Sequence, residues 1–498
     1  MSYMGLDIGQ TGCKAVVFDE NGHEIGSSYR EYKTLVPNEG WAELDSKEVR
    51  DSCFTVMKEA ISQCEGDPVQ GLGISSQGEA FTPVDVDGNY LANAMITFDT
   101  RATKTAERWS EQFGRRRLYD ITGHTPHPMF SLFKLLWLKE NQKEVFDKTW
   151  KFLCFEDLLQ YELGIEPVIS WTLAGRTMMF NVFEHRWEDE ILREAGLTEK
   201  NLARPVPSGT SCGFVNDEIA KELGFQKGVK IASAGHDQPV GALGAGVITP
   251  GTAMYAIGTS ECISPSFADP VTGDELFSNN LCTYDHAMQG QYTTTAFSLT
   301  GGNLLRWFRD VWGALEKERA AREGKDPYEM LLEQMGRKPS GLLCLPYFTP
   351  TGTPYYDADV SGALLGLRLT TERGEVLKAL LEGVSFEMRL NLSILETSGI
   401  EIEELRAIGG GAKSPVWLQL KADVMGKPVT TVEVTEAACL GCAMLACSAV
   451  TGEPVESLVS RWVKKGATVV PDPGNAEYYR ERFEVYKSLY PALKVLKV

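Results

Sequence analysis

Short apolar segments separated by glycine-containing turns run along the chain, and they predict strands. Residues 4–8 and 15–19 flank a turn of glycine and small polar residues, which predicts a strand–turn–strand unit, the first hairpin. Residues 253–257 and 261–263 repeat the pattern around the turn 258–260, the second hairpin. Two such hairpins about half a chain apart predict a duplicated architecture.

The remaining segments predict an alternation of strands and helices. Apolar runs that end in polar residues predict further strands at 69–77, 80–86, 229–235 and 405–409. Helical spacing or small-residue composition predicts helices at 131–139, 239–246 and 437–444. This alternation predicts an α/β fold. The stretch 244–251, which contains glycines and a proline, is the predicted domain boundary.

Composition and charge exclude several classes of function. The 498 residues are 43% hydrophobic and 23% charged, which suits two or three soluble domains. The formal net charge of −19 argues against a general nucleic-acid binder, although an anionic nucleotide needs only local donors. The apolar stretch 443–450 is too short to span a membrane, and no signal peptide is recognised. A cytoplasmic protein with neither membrane nor nucleic-acid partners is expected.

The eleven cysteines favour a reducing compartment, because they are scattered and mostly lie inside apolar runs. Cys439 and Cys442 form a Cys-x-x-Cys pair. No second pair and no neighbouring histidine completes a zinc site, so helix packing is the preferred interpretation.

The first hairpin carries the groups expected of a phosphate site. Gly9 and Gly12 allow the backbone to present N–H groups to an anion, while Thr11 adds a hydroxyl and Lys14 a cation. Asp7 is a candidate metal partner, with a structural aspartate as the alternative. A plain glycine-rich hairpin with a solvated Lys14 also fits this segment taken alone.

Six segments, taken together and in order, resemble one protein family. They are residues 5–14, 235–238, 258–260, 298–310, 409–419 and 434–443. The chain resembles the FGGY carbohydrate kinases, which belong to the actin-like ATPase superfamily. The resemblance implies two duplicated ribonuclease H-like domains with a cleft between them. The expected domains are 1–246, with the sugar and the first hairpin, and 247–498, with the nucleotide.

The same resemblance implies the reaction. We expect ATP-dependent, Mg²⁺-requiring phosphorylation of a hydroxyl of a small sugar, a ketopentose or other ketose, or of a polyol in carbohydrate catabolism. Asp237 is the implied general base, and Asp7 and Asp237 are the implied metal partners. Asp237 could also cap the helix that it begins. A homodimer is expected.

The resemblance also implies the nucleotide contacts. The candidates are Thr11, Lys14, Gly258, Thr259, Gly301, Gly302, Gly409, Gly410 and Ala412. The glycines would let the nucleotide approach the backbone closely. A plain strand–helix turn is the alternative for residues 409–411.

The implied sugar contacts depart from the patterns of two subgroups. They are Gln77, Gly78, Glu79, Asp99 and Asp237. Xylulokinases typically carry Met-His in the stretch 76–79 and glycerol kinases Arg-Glu, so Gly78 stands where an arginine would be. Asp99 either touches the substrate or pairs with Arg101. Trp171 either stacks on a sugar or fills the core.

Two alternatives to this assignment remain open at the level of the sequence. One is a kinase of glycerol or another polyol, and the other is a non-catalytic sensor of ATP and sugar with the same fold. The presence of Asp7, Asp237, Thr259 and the glycines 409–411 favours the enzyme. The two hairpins belong to different halves, so closure of the halves on one ATP is expected, with a hinge near residues 244–252.

Overall fold

Two six-stranded sheets form the framework of the computed structural model, which describes residues 1–64, 66–434 and 436–496. The strands of the first sheet are β1 Ser2–Ile8, β2 Gly12–Phe18, β3 Glu24–Glu31, β4 Val69–Ser76, β5 Ser211–Phe214 and β6 Lys230–His236. Those of the second sheet are β7 Gly251–Ile257, β8 Glu261–Pro265, β9 Ala296–Ser298, β10 Ile402–Ile408, β11 Val429–Val432 and β12 Lys465–Val469.

The two sheets share one topology. Their strand orders are β3-β2-β1-β4-β6-β5 and β9-β8-β7-β10-β11-β12. In each sheet three antiparallel strands come first, two further strands join in parallel, and an antiparallel strand closes the edge. The duplicated α/β architecture predicted from the two hairpins is therefore confirmed.

Helices cover the sheets. In the first half they are Ser46–Ile61, Thr103–Phe113, Arg115–Thr122, Ser131–Asn141, Lys143–Lys148, Phe155–Glu162, Trp171–Gly175, Asp189–Ala195, Asp217–Leu223 and Asp237–Gly244. In the second half they are Asp274–Ser278, Gly302–Trp312, Ala314–Glu323, Pro327–Leu332, Arg373–Thr397, Pro415–Met425, Ala437–Thr451, Val455–Trp462, Pro473–Lys487 and Leu489–Lys494. Across the described residues, none of the helices has the length and apolar character needed to cross a membrane.

Both halves also contain short two-stranded sheets outside the main sheets. They are Glu43–Leu44 with Ala94–Met95, Thr82–Val84 with Lys151–Leu153, Val168–Ser170 with Arg204–Val206, Phe180–Asn181 with Arg186–Trp187, Tyr284–Asp285 with Tyr292–Thr293, and Leu343–Leu345 with Ala363–Leu365. The strand predicted at 80–86 is thus limited to Thr82–Val84. This small pair is separate from the main sheets, because Thr82–Val84 bonds only to Lys151–Leu153 within the described sheets.

The helix Ala437–Thr451 belongs to the second half by sequence, yet it packs on the first sheet. Glycines in β1 and β4 allow this close approach. A Cβ atom added at Gly5 would lie 1.9 Å from the carbonyl oxygen of Cys439, and one added at Gly73 would lie 2.2 Å from that of Cys442. The Cys-x-x-Cys pair therefore serves packing. Among the described residues, no group of three or more histidine, cysteine and acidic side chains is arranged to hold a metal ion.

A second close contact joins the halves. The helix Asp237–Gly244 packs against Ala437–Thr451 and touches strands of both sheets. A Cβ atom on Gly244 would lie 1.8 Å from the carbonyl oxygen of Ala437. The chain then passes Gly246, whose φ of 75° suits glycine, into β7. The boundary at 246/247 and the hinge at 244–252 remain predictions.

Candidate active site

Asp237 lies at the end of β6 as the first residue of the helix Asp237–Gly244. His236 occupies the N-cap position, and no side chain there makes a capping hydrogen bond. The Asp237 side chain is 26% exposed. His236 and not Asp237 is thus the N-cap residue, and the Asp237 carboxylate keeps contact with solvent, as a group that must meet a substrate requires.

The histidine before it positions this carboxylate. His236 Nε2 lies 3.3 Å from Asp237 Oδ1, and its Nδ1 lies 3.2 Å from the Tyr284 hydroxyl. Burial holds the pKa of His236 well below its usual value, so the ring is neutral. A neutral ring has one N–H group and an ionised Asp237 can only accept, so in that state Nε2 carries the proton and Nδ1 accepts from the Tyr284 hydroxyl.

Nearby acidic groups raise the pKa of the candidate base. Burial, followed by the charges of Asp7 and Glu79, raises the pKa of Asp237 to about 8. Burial also raises the pKa of Asp7 to about 6, with a contribution from Glu436 that opposes the hydrogen bond from Ser75 Oγ at 2.7 Å. The two aspartates are therefore close enough to repel each other. The two carboxyls therefore titrate as an interacting pair.

Several hydrogen bonds fix the turn of the first hairpin. Gly9 N donates to Gly12 O at 2.9 Å, and the Tyr32 hydroxyl donates to both carbonyls, at 3.0 Å to Gly12. Gln77 Nε2 adds a bond of 3.0 Å to Gly9 O. Gln77 Oε1 is buried and has no hydrogen-bond partner among the described residues. The predicted sugar ligand Gln77 therefore also fixes the phosphate turn, in which Thr11 is exposed.

Lys14 is not simply solvated. Its ammonium forms an ion pair with Glu436, which immediately precedes the helix Ala437–Thr451. Thr435, which falls in one of the six family-like segments, lies outside the described residues. The Lys14 ammonium also lies 5.8 Å from the ring centroid of Tyr29. The cation predicted for phosphate is thus held between the two halves.

A cavity of about 750 Å³ opens beside the second hairpin. Its lining brings together four predicted nucleotide residues, Gly258, Thr259, Gly302 and Gly410. Further wall residues that the sequence did not single out are Arg306, Tyr328, Lys413 and Trp417. The size and the glycine-rich rim suit a nucleotide.

Three other predicted residues shape this cavity without lining it. A Cβ atom on Gly301 would lie 2.9 Å from Glu261 Cγ, and one on Gly409 would lie 2.7 Å from Ile257 O. Gly409 also has a φ of 91°. Ala412 packs partly buried against the core of the second half. Glycine at 301 and 409 therefore lets the turns of the rim approach one another.

A buried ion pair supports the second hairpin from below. Lys421 Nζ lies 2.6 and 2.7 Å from the two carboxylate oxygens of Glu261, and both side chains are fully buried. Glu261 begins β8, and Lys421 lies on the helix Pro415–Met425, which adjoins the cavity through Trp417. The partners are 160 positions apart, so no local sequence signal could reveal them.

On the sugar side, a distant arginine supplies the cation that is missing at position 78. Arg176 Nε donates to Glu79 Oε1 at 2.6 Å, although the two residues are 97 positions apart. Thr97 Oγ1 donates to Glu79 Oε2 at 2.7 Å. Glu79 is buried and has a φ of 65°, a conformation that a glutamate adopts only when its surroundings impose it.

Two other candidate sugar contacts, Asp99 and Trp171, already interact with residues of the protein. Asp99 accepts hydrogen bonds from Ala42 N at 2.8 Å and from Arg101 Nη2 at 2.6 Å, which favours the ion-pair interpretation. Trp171 stacks on His185 with ring centroids 3.9 Å apart, so one of its faces is covered. Tyr356, from the second half, lies beside His127, with the two ring centroids 4.7 Å apart.

Comparisons with known proteins identify the family. The model of the FGGY carbohydrate kinase N-terminal domain matches residues 2–244, and the model of the C-terminal domain matches residues 253–450. The chain belongs to the FGGY family of carbohydrate kinases. The family resemblance predicted from six short segments is thereby confirmed, and the protein is an enzyme that phosphorylates carbohydrates.

Relatives of this FGGY kinase differ in their acceptors. The xylulose kinase of Bacillus subtilis is 27% identical over 504 residues, covering 100% of this chain and 98% of that protein. The gluconokinase of the same organism is 28% identical over 495 residues, covering 98% and 95%. The crystal structure of a xyloylose kinase from Brucella ovis has a TM-score of 0.89 at 27% identity and covers 100% of both chains. Similarity alone therefore does not select the acceptor.

Proposed function

We propose that this FGGY kinase transfers the γ-phosphoryl group of ATP to a hydroxyl of a small ketose or polyol, with Asp237 as general base. The position of Asp237 carries the proposal. Its carboxyl interacts with Asp7 on the first hairpin and with Glu79 on the sugar side. The neighbouring Gln238 accepts a hydrogen bond at 3.3 Å from Cys262 Sγ, on the return strand of the second hairpin. One carboxyl is thus near both phosphate turns and the sugar side.

The proton transfer that the reaction requires fits this role. The acceptor hydroxyl would give its proton to the Asp237 carboxylate as its oxygen bonds to the γ-phosphorus and the bond to the β-phosphate oxygen breaks. His236 holds the carboxylate in place through its Nε2 atom. The nucleotide would occupy the cavity at the second hairpin, with its phosphates directed to Gly258 and Thr259.

The two aspartates fit a magnesium ion. Mg²⁺ prefers oxygen ligands and binds through one or two carboxylates together with substrate phosphates. Asp7 and Asp237 are two such groups, and their mutual repulsion would be relieved by a cation. When bound, Mg²⁺ would neutralise charge on the β- and γ-phosphates.

An acceptor screen tests the proposal. ADP release is measured by a coupled assay with D-xylulose, D-ribulose, glycerol, erythritol and D-gluconate, each at several concentrations. At least one ketose or polyol should stimulate ADP release well above the rate with ATP alone. An ATPase rate that no acceptor changes would instead support a sensor of the same fold.

As the pH is lowered, activity should begin to fall at an unusually high pH. The general base must be ionised, and the pKa of Asp237 is raised from 3.8 to about 8. In the free enzyme kcat/KM should therefore fall about tenfold for each pH unit below that value. A profile of kcat/KM for Mg²⁺-ATP, measured from pH 5.5 to 9.5 with the acceptor well below saturation, checks this because it reports the free enzyme. A flat profile down to pH 6 would contradict the assignment of the raised pKa to the base.

Ligands should draw the halves together. The two hairpins belong to different sheets, so both reach one ATP only when the cleft closes, and closure also excludes water from the γ-phosphate. Small-angle scattering should show a smaller radius of gyration with sugar plus a non-hydrolysable ATP analogue than with either alone. The same radius in all four ligand states would rule out the hinge at 244–252.

A further inference from the structure

The Arg176–Glu79 ion pair lies on the sugar side of Asp237. The Arg176 side chain is 12% exposed and that of Glu79 is 3% exposed. Nε and Nη2 of Arg176 both contact Glu79 Oε1. Charge-assisted bonds of this kind hold a guanidinium in a fixed plane. The pair is therefore a rigid part of the cleft wall.

Gly78 makes room for this pair. A Cβ atom added at residue 78 would lie 3.1 Å from His236 Nε2 and 3.4 Å from Arg176 Cγ. A long side chain at position 78 would thus displace Arg176 or His236. Glycine at position 78 and the guanidinium of Arg176 therefore belong to one arrangement. The cation beside Glu79 comes from a different element of the chain.

Arg176 keeps hydrogen-bonding capacity for a ligand. A guanidinium has five N–H donors. Nε and Nη2 are engaged with Glu79, and Nη2 also lies 3.7 Å from Met129 Sδ. In the part of the chain that the structure describes, Nη1 has no hydrogen-bond partner. Nη1 can donate to one hydroxyl of a ligand, and the adjacent Glu79 carboxylate can accept from a neighbouring hydroxyl. The pair therefore matches two adjacent hydroxyls.

The surrounding charges favour an uncharged acceptor. Glu79 already neutralises Arg176, and Asp7 and Asp237 add negative charge nearby. His236 stays neutral because it is buried. Lys134 is buried behind Glu79 and donates to its backbone carbonyl at 3.3 Å. A carboxylate ligand would therefore face Glu79 and Asp237, whereas a hydroxyl can bond to either charge.

We propose that Arg176, held by Glu79, is a specificity-determining residue that selects an uncharged sugar or polyol with adjacent hydroxyls and rejects sugar acids. The inference rests on the proposed function, because it places the acceptor beside Asp237. It goes further by choosing between the acceptor classes that the relatives represent. The pair acts on binding, so binding can test it separately from turnover.

The variant Glu79→Gln tests the inference, because it leaves Arg176 in place but unneutralised. Calorimetry without ATP measures the affinities for D-xylulose, D-ribulose, erythritol and D-gluconate, and the coupled assay measures kcat/KM. Wild type should favour the best neutral acceptor over D-gluconate by at least about 100-fold. Glu79→Gln should weaken the neutral acceptor about 10–100-fold, the range of a lost bond to a charged group, and strengthen D-gluconate.

Two further variants complete the design. The double variant Glu79→Gln/Arg176→Met removes both charges and should lose the gain in D-gluconate affinity. Glu162→Gln is the matched control, because Glu162 pairs with Arg50 at 3.1 Å and is not part of the proposed site. It should leave the neutral-to-acid ratio unchanged. Thermal unfolding of each variant checks that it is folded.

The outcomes separate the two proposals. A wild type that binds D-gluconate as tightly as the neutral acceptors, or that binds none of the four, would overturn the role of Arg176. An equal change for both classes in Glu79→Gln would overturn it as well. If the calorimetric ratio shifts as expected but no acceptor stimulates ADP release, the selectivity holds and the kinase proposal fails.

Discussion

The Asp237→Asn variant is expected to lose about 10²–10⁴-fold in kcat, the span that general-base catalysis usually supplies. Asparagine keeps the shape of the side chain and its contact with His236, but it cannot take the hydroxyl proton. Steady-state kinetics with the best acceptor gives the measurement. Sugar affinity by calorimetry should change little, since the amide can still bond to a hydroxyl. A kcat within threefold of wild type would remove Asp237 from the mechanism.

The same variant should be more stable than wild type in alkaline solution. The folded-state pKa of Asp237 is raised, so the folded protein binds more protons than the unfolded chain between about pH 4 and pH 8. This carboxyl therefore costs stability as pH rises through that window. Asparagine does not titrate, so at pH 8.5 we expect a gain of about 1 kcal/mol or more, which is roughly 2–4 °C in Tm. Lower stability together with lower activity would indicate general damage instead.

The second large effect concerns the packing between the halves. Gly5→Ala places a Cβ atom where the carbonyl oxygen of Cys439 would lie only 1.9 Å away. Backbone must then move, because neither β1 nor the helix Ala437–Thr451 can relieve the overlap by rotating a side chain. Overpacking of this kind costs about 1–3 kcal/mol and sometimes more. We expect Tm to fall by about 2–12 °C.

Gly273→Ala is the matched control for this prediction. Gly273 has a φ of −84°, and the nearest atom to an added Cβ would be Glu275 N at 4.0 Å. Differential scanning calorimetry should show a clearly smaller change in Tm for this variant. Comparable losses for Gly5→Ala and Gly273→Ala would show that steric overlap with the helix is not the cause. A lower kcat in folded Gly5→Ala would additionally link this packing to the site.

The sequence predicted the framework because its signals are local. A hairpin is specified by a short apolar run, a glycine turn and a return strand, and these patterns at 4–19 and 253–263 match β1–β2 and β7–β8. The end of β6 and the start of the next helix placed Asp237 at the C-terminal end of a strand of the first sheet. Repetition of the hairpin indicated the duplication before any long-range contact was known.

Other properties depend on contacts between distant parts of the chain. Arg176 reaches Glu79 across 97 positions, and Lys14 pairs with Glu436 across 422 positions. Such pairs leave no periodic signal, because each partner looks locally like an ordinary charged residue. The pKa values of Asp7 and Asp237 likewise arise from burial and from each other, which only the folded arrangement produces.

The sequence alone therefore determined the duplicated α/β fold and the two hairpins, while the assignment of Asp237 as the base stays a prediction from the family resemblance. Only the tertiary structure decided which cation stands beside Glu79, why position 78 is glycine, and that Asp99 is bound to Arg101. The physical reason is the range of the interactions. Strand and turn preferences act over a few residues, whereas charge neutralisation and steric exclusion act between whichever residues the fold brings together.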